Sequence, residues 1–197
     1  MSLAKTLEKP LPKPQKDLVG YASARTLEAL VEALLALEFL DKGYTRNAAG
    51  KAFQAWKALL AALLALEKDK LNKLLKFEEE RKWLLDIGIS RVPTSKLKTL
   101  ARLLTRVGYS HFSYYVDKVL NIHDYQYYGP DPDMAMSKYT SESEATQDIL
   151  ELLHTLIKLV EDSLKPKLEE LNAWKDQHSQ ALEQLKQRLA TNSQSTD

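Results

Sequence analysis

The stretch AAGKAFQAWKALLAALLAL, from Ala48 to Leu66, limits what this chain can fold into more than any other. Read at 3.6 residues per turn, Ala52, Phe53, Ala55, Trp56, Leu59, Leu60, Leu63 and Leu64 leave the helix apolar on nearly every side. Such a helix has no face to give to water, so it is either central in a bundle or shared with another subunit. Thr45 is placed to cap it.

The flanking segments supply the helices that would surround it. Asp17 precedes Leu27, Leu30, Val31, Leu34 and Leu37, spaced by three and four, with Arg25, Glu28 and Glu32 on a polar stripe. This predicts an amphipathic helix ending near Gly43. After Leu66 the charged stretch EKDKLNKLLKFEEERKWLL keeps a rough helical period through Leu71, Leu74, Leu75 and Phe77, until DIGISRVPTS interrupts it with Gly88 and Pro93. A third helix is expected from Lys96 to about Val107, stopped by Gly108, and a fourth from about Ser110 to Ile122, before the loop of Gly129, Pro130 and Pro132. SESE near Ser141 is a capping pattern for a fifth helix through Ile149, Leu152, Leu153, Leu156, Ile157 and Val160. Pro166 suits the first turn of a sixth, reaching about Ala190.

No segment alternates like a strand, and no repeat of about 34 to 47 residues marks a solenoid. The expected fold is all-α, an antiparallel up-and-down bundle. Its expected divisions are a flexible Lys/Pro-rich arm at 1–16, the bundle at 17–163, an amphipathic C-terminal helix at 164–190 and a disordered tail at 191–197. In that last helix Leu164, Leu168, Leu171, His178, Leu182, Leu185 and Leu189 approximate an a/d register interrupted at Lys175.

Charge and cysteine content remove whole classes of function. With 28 Lys+Arg against 27 Asp+Glu, no global field draws the chain to nucleic acid or an anionic membrane, so any such contact needs a local patch. The absence of cysteine removes disulfides, thiolate nucleophiles and Cys-based zinc sites, and fits a reducing, cytoplasmic setting. No signal segment opens the chain, and the run Ala58–Leu66 is far short of the ~20 residues of a membrane span.

Few motifs carry chemistry. GYTRNAAGKA fails as a phosphate-binding loop, because Gly43 and Gly50 are too far apart, Ala52 replaces the hydroxyl and no strand precedes it. His154 and His178 read as packing or surface residues, and no cofactor or metal is expected. Asp131 and Asp133 read as turn residues. Two stretches pair a cation with a histidine five residues later: RVGYSH, with Arg106 and His111, and KVLNIH, with Lys118 and His123. A histidine that moves a proton beside a cation that stabilises a phosphate is the minimum for metal-free RNA cleavage through the 2'-hydroxyl. Tyr109, Phe112, Tyr114, Tyr115, Tyr125, Tyr127 and Tyr128 cluster nearby, and Tyr125, Tyr127 and Tyr128 are candidate platforms for stacking bases.

The run from Ala24 to Leu64, with KVLNIHDYQYYG and SESEATQDILELLHTLIKLVED, resembles the HEPN family (higher eukaryotes and prokaryotes nucleotide-binding), and most resembles its divergent archaeal branches. The likeness spans about residues 17 to 163. It implies a helical bundle, a homodimer, RNA or a nucleotide as ligand, and a nucleotidyltransferase-type protein partner. It also implies an R-x4-6-H motif, often followed by an aromatic residue, at a dimer interface. KVLNIHDY matches that form at His123 and Tyr125, with Lys118 in place of arginine. Lysine keeps the charge and loses the planar two-point grip on phosphate. The expectation is a nucleotide- or RNA-associated module with a degenerate catalytic motif; the alternatives are a metal-independent endoribonuclease and a purely structural helical interaction protein.

Overall fold

A computed structural model describes residues 3–194 of the chain, and among these it contains helices, turns and no strand. Helix α1 (Leu18–Asp41) starts where the Asp17 carboxylate accepts the Gly20 N–H at 2.8 Å. It ends at Lys42 and Gly43, the latter at φ +73°. A three-residue turn reverses the chain into α2 (Thr45–Leu66), making an αα-hairpin.

Alanines set how closely that hairpin closes. Ala29, Ala33 and Ala36 on α1 and Ala48, Ala52, Ala55, Ala58 and Ala62 on α2 are all fully buried. Small side chains let two helix backbones approach, and the larger Leu30, Leu37, Phe53 and Leu59 fill the volume left between them. The polar stripe of α1 is not all solvated: Glu32 is buried, and its carboxylate pairs with Lys51 of α2 at 2.9 Å.

The rest of the chain wraps α2. Helices α3 (Lys68–Leu74) and α4 (Glu78–Trp83) follow it, and α4 widens into a π turn at Leu84–Ile89 before α5 (Leu97–Arg106). Helices α6 (Phe112–Tyr128) and α7 (Glu142–Leu159) pack on α2, and α9 (Asp176–Gln194) lies on α1. The apolar circumference of α2 is thus covered within one chain, and no second subunit is needed to bury it. The nine-residue run is too short for a bilayer, but the 22-residue helix containing it is long and apolar enough to cross one, with 72% of its apolar window buried in the protein.

Three boundaries differ from expectation. The fourth helix does not end at Ile122 but runs to Tyr128, and Gly129 stops it at φ +68°. The sequence 123–128 lacks any breaker, so polarity there marks a surface and not a loop. The charged continuation of α2 breaks earlier than DIGIS, at Leu75, Lys76 and Phe77, then resumes as α4.

The single sixth helix is really two. Helix α7 passes through a π turn at Val160–Leu164 into α8 (Lys165–Glu170), the wider turn accommodating Pro166, which has no N–H to return. Asn172 then enters the left-handed region at φ 54°, and the N–H groups of Ala173 and Trp174 both donate to the Leu168 carbonyl. The a/d seam is therefore cut: Leu171 is 46% exposed, while Leu182, Leu185 and Leu189 bury against α1. Of the expected tail, residues 195–197 lie outside the described residues, and α9 continues through residue 191 to Gln194. Residues 3–16 hold a short 3-10 helix at Leu3–Glu8 against α1 and a turn at 13–16 in which Pro14 is buried.

His178 fixes α9 to α1. It is 2% exposed; its Nδ1 accepts the Lys175 N–H at 3.1 Å, and its Nε2 donates to the Ser23 carbonyl at 2.9 Å. That pattern requires a neutral ring, and burial, helped by the Lys175 ammonium, holds its pKa below the ordinary histidine value. The native state then binds fewer protons than the unfolded chain between that depressed pKa and about 6.5. Stability from this ring is complete above pH ~6.5 and is lost as the pH falls through the window, by at most about 1.4 kcal/mol per unit. Urea unfolding at pH 7.5 and 5.5 should show this loss, and His178→Gln should shrink the difference between the two pH values. An unchanged difference would remove His178 as its source.

Candidate functional site: a cleft between α2 and α6

Gly50 of α2 faces Gln126 of α6: a Cβ at Gly50 would stand 2.7 Å from the Gln126 Oε1, the mobile end of a side chain that could turn aside. The Gln126 amide nitrogen in turn bonds the His123 Nδ1.

His123 is half-buried. Its ring stacks on Phe53 of α2, with centroids 4.0 Å apart and planes 20° from parallel, and Tyr127 meets it edge-on at 5.3 Å. Burial lowers its pKa; Asp124 opposes the shift and the Lys57 ammonium adds to it. At neutral pH the ring is therefore uncharged, and with Nδ1 accepting from Gln126 the proton sits on Nε2. Lys57 lies 5.6 Å from the Phe53 centroid, with its own pKa lowered by burial and by Arg25. The cation associated with His123 in space is thus Lys57, from a different helix.

Lys118 is not part of this group. Five residues along an α-helix rotate a side chain by roughly 140°. Lys118 accordingly faces α7, where its ammonium binds Asp148 at 2.8 Å and also Glu151, and those carboxylates raise its pKa against the pull of burial. Asp148 also accepts the Tyr139 hydroxyl at 2.9 Å. Two carboxylates more than neutralise the charge that the motif would offer a phosphate. The expected pair of Lys118 and His123 is therefore separated within the chain.

The second pair flanks the turn between α5 and α6. Arg106 is the exposed last residue of α5, and the turn from Val107 to His111 contains Gly108 at φ +113°. His111 precedes α6 in the left-handed region at φ 65°, exposed and stacked on Tyr114 at 5.7 Å.

The tyrosines divide by burial. Tyr127 and Tyr128 are 62% and 51% exposed at the end of α6. Tyr125, grouped with them by sequence, is fully buried against Tyr139 and is unavailable to a base. Its hydroxyl faces Thr45 without a hydrogen bond of standard geometry, and burial raises its pKa. Tyr109 and Tyr115 turn inward, Tyr115 toward Trp56 at 5.9 Å. Asp131 organises its loop, accepting N–H groups from Asp133, Met136 and Ser137 that hold its carboxyl below the ordinary range.

Beside His123 a shallow cleft of about 340 Å³ opens over Gly50, lined by Phe39, Arg46, Asn47, Lys51, Gln54, Gln126 and Tyr127. The Arg46 guanidinium donates to the carbonyls of Gln126, at 3.1 Å, and Tyr127, at 2.5 Å, closing the last turn of α6. None of the α2 residues of this cleft was singled out as a ligand group from sequence. Asn47, Gly50, Lys51, Gln54 and Lys57 do share one face at spacings of three and four, and that polar stripe on an otherwise apolar helix was the available signal.

Residues 24–150 match the model of the archaeal PaREP1/PaREP8 family, a span that opens in α1, ends in α7 and contains the whole cleft. No curated protein and no solved structure matches the chain.

Proposed function

The chain belongs to the archaeal PaREP1/PaREP8 family, and we propose that within it this protein is a HEPN-like module that binds RNA or nucleotides without cleaving them. The observation that carries this reading is the commitment of Lys118 to Asp148 and Glu151, on a face turned away from His123. A phosphate at His123 would find no motif cation there to stabilise the charge of a pentavalent transition state. Binding asks for less. Exposed Tyr127 and Tyr128 offer ring faces, and Lys57, which makes no ion pair among the described residues, offers a charge for a phosphate.

Pairing of two copies through the His123 face, and docking of a nucleotidyltransferase-type partner, belong to the same proposal. Sedimentation at micromolar concentration tests the first.

The reading predicts that single-stranded RNA stays intact in EDTA and binds with an affinity that falls as salt rises. Cleavage that disappears in His123→Ala, or in His111→Ala, would replace it with a metal-independent ribonuclease. Absence of any binding at low salt would leave a helical interaction protein.

A further inference from the structure

We propose that the outer face of α5, with Tyr114 of α6 at its edge, binds the phosphate backbone of a single RNA strand. This contact is separate from the α2–α6 cleft, Tyr114 lying about 20 Å along α6 from Tyr127, and it rests on the RNA form of the reading above. The chain's balanced charge is unevenly placed. From Ile87 to Val116 there is no Asp or Glu, while Arg91, Lys96, Lys98, Arg102 and Arg106 fall within the stretch, leaving 23 Lys and Arg against 27 Asp and Glu elsewhere. A polyanion is therefore drawn to this segment and repelled, on balance, by the rest.

These cations are available. The side chains of Arg91, Lys96, Arg102 and Arg106 are exposed and make no ion pair or hydrogen bond among the described residues. Residues 98, 102 and 106 follow one another along one face of α5, about 6 Å per step. Lys98 alone of the five is paired, to Asp117 of α6 at 2.8 Å, and that bond fixes the register of the two helices. Joined by the short turn 107–111 and packed together, α5 and α6 run antiparallel. One turn on from Lys98 is Arg102 and one turn back from Asp117 is Tyr114, so these two stand side by side. Tyr114 is 68% exposed; His111 stacks on it, and no other ring or cation meets it among the described residues.

What the face lacks selects the partner. A membrane-surface helix presents apolar residues to the bilayer, but Leu97, Leu100 and Leu104 of α5 are buried in the core and none of its large apolar side chains is exposed. A line of cations beside an open aromatic ring is the arrangement that tracks a strand's phosphates and stacks one of its bases. A duplex keeps its bases stacked on one another and has no ring face to give Tyr114.

The test is fluorescence anisotropy of the full-length protein with an end-labelled single-stranded RNA of mixed sequence, titrated at several salt concentrations. Arg102→Gln and Arg106→Gln should each weaken binding several-fold at low salt. Each should also flatten the slope of log affinity against log salt by about 0.7, the value of one phosphate contact on a single strand. Lys158→Gln, an equal loss of charge at an exposed position on α7, should change neither. Tyr114→Ala should weaken binding about tenfold with the slope unchanged, since stacking releases no counterions. All four positions are exposed on helices, where glutamine and alanine are well tolerated, so loss of folding does not confound the result. RNA binding with an unaltered slope in both arginine variants would overturn this assignment and leave the RNA to the α2–α6 cleft. No RNA binding at all would overturn the binding reading together with it. Phosphatidylserine vesicles that bind the protein and are lost in the arginine variants, or polyglutamate that displaces the RNA at equal charge, would give the face to a membrane or an acidic protein instead.

Discussion

Trp56→Ala should lower the unfolding free energy by about 3–5 kcal/mol, the range for removing a large aromatic from a closed core. The indole is 2% exposed at the centre of α2. It packs against Phe112 at 5.8 Å and Tyr115 at 5.9 Å, and its N–H donates to the Leu152 carbonyl at 3.2 Å. One side chain thus joins α2 to α6 and α7, so the cavity left behind cannot collapse by moving a single helix. Urea unfolding should show a lower midpoint with an unchanged slope. Gln54→Ala, two residues earlier on the same helix but exposed, should stay within about 0.5 kcal/mol. A Trp56→Ala loss under about 1 kcal/mol would mean that α2 is not the centre of the bundle.

That contrast between neighbouring positions explains what a single sequence can disclose here. The centrality of α2 is a local property: eight large or small apolar residues at helical spacing leave no other reading. Starts and stops were local too, because Asp17, Ser141, Gly43 and Gly108 act within a few residues of themselves. The end of α6 was not local. Its last carbonyls are satisfied by Arg46, 80 residues earlier, so HDYQYY could remain helical where polarity alone suggested a loop. The break after Glu170 was likewise hidden, since an asparagine in a left-handed turn looks no different from one on a helix surface.

The candidate site fails to be legible for the same reason. Lys118 and His123 are close in sequence, yet the partners of Lys118 are 30 and 33 residues away on α7, while the ring that His123 stacks on, Phe53, is on α2. Spacing along the chain specifies which face a residue occupies, and 140° of rotation puts these two on different faces. Reading the motif as a unit therefore joined two residues that the fold uses separately. The polar stripe of Asn47, Gly50, Gln54 and Lys57 was present in the letters throughout. Alanine and leucine dominate that helix so strongly that the exception reads as noise until α6 is seen to lie beside it.

The other large effect is expected at Glu67, where α2 ends. Its carboxylate is 2% exposed and pairs with Lys70 at 2.9 Å and with Lys167 of α8, while the Tyr109 hydroxyl donates to it at 2.9 Å. Lys167 also donates to the Tyr109 oxygen at 3.1 Å, and burial pushes that hydroxyl's pKa up to about 12. The cluster therefore ties the end of α2, the turn before α6 and the C-terminal helices together.

Lys167→Met should cost about 3 kcal/mol, because it leaves a buried carboxylate whose remaining cation, Lys70, is 61% exposed. The double variant Glu67→Leu with Lys167→Met should recover most of that loss, since removing both charges removes the uncompensated one. Two losses that simply add would show that the residues do not act as a pair.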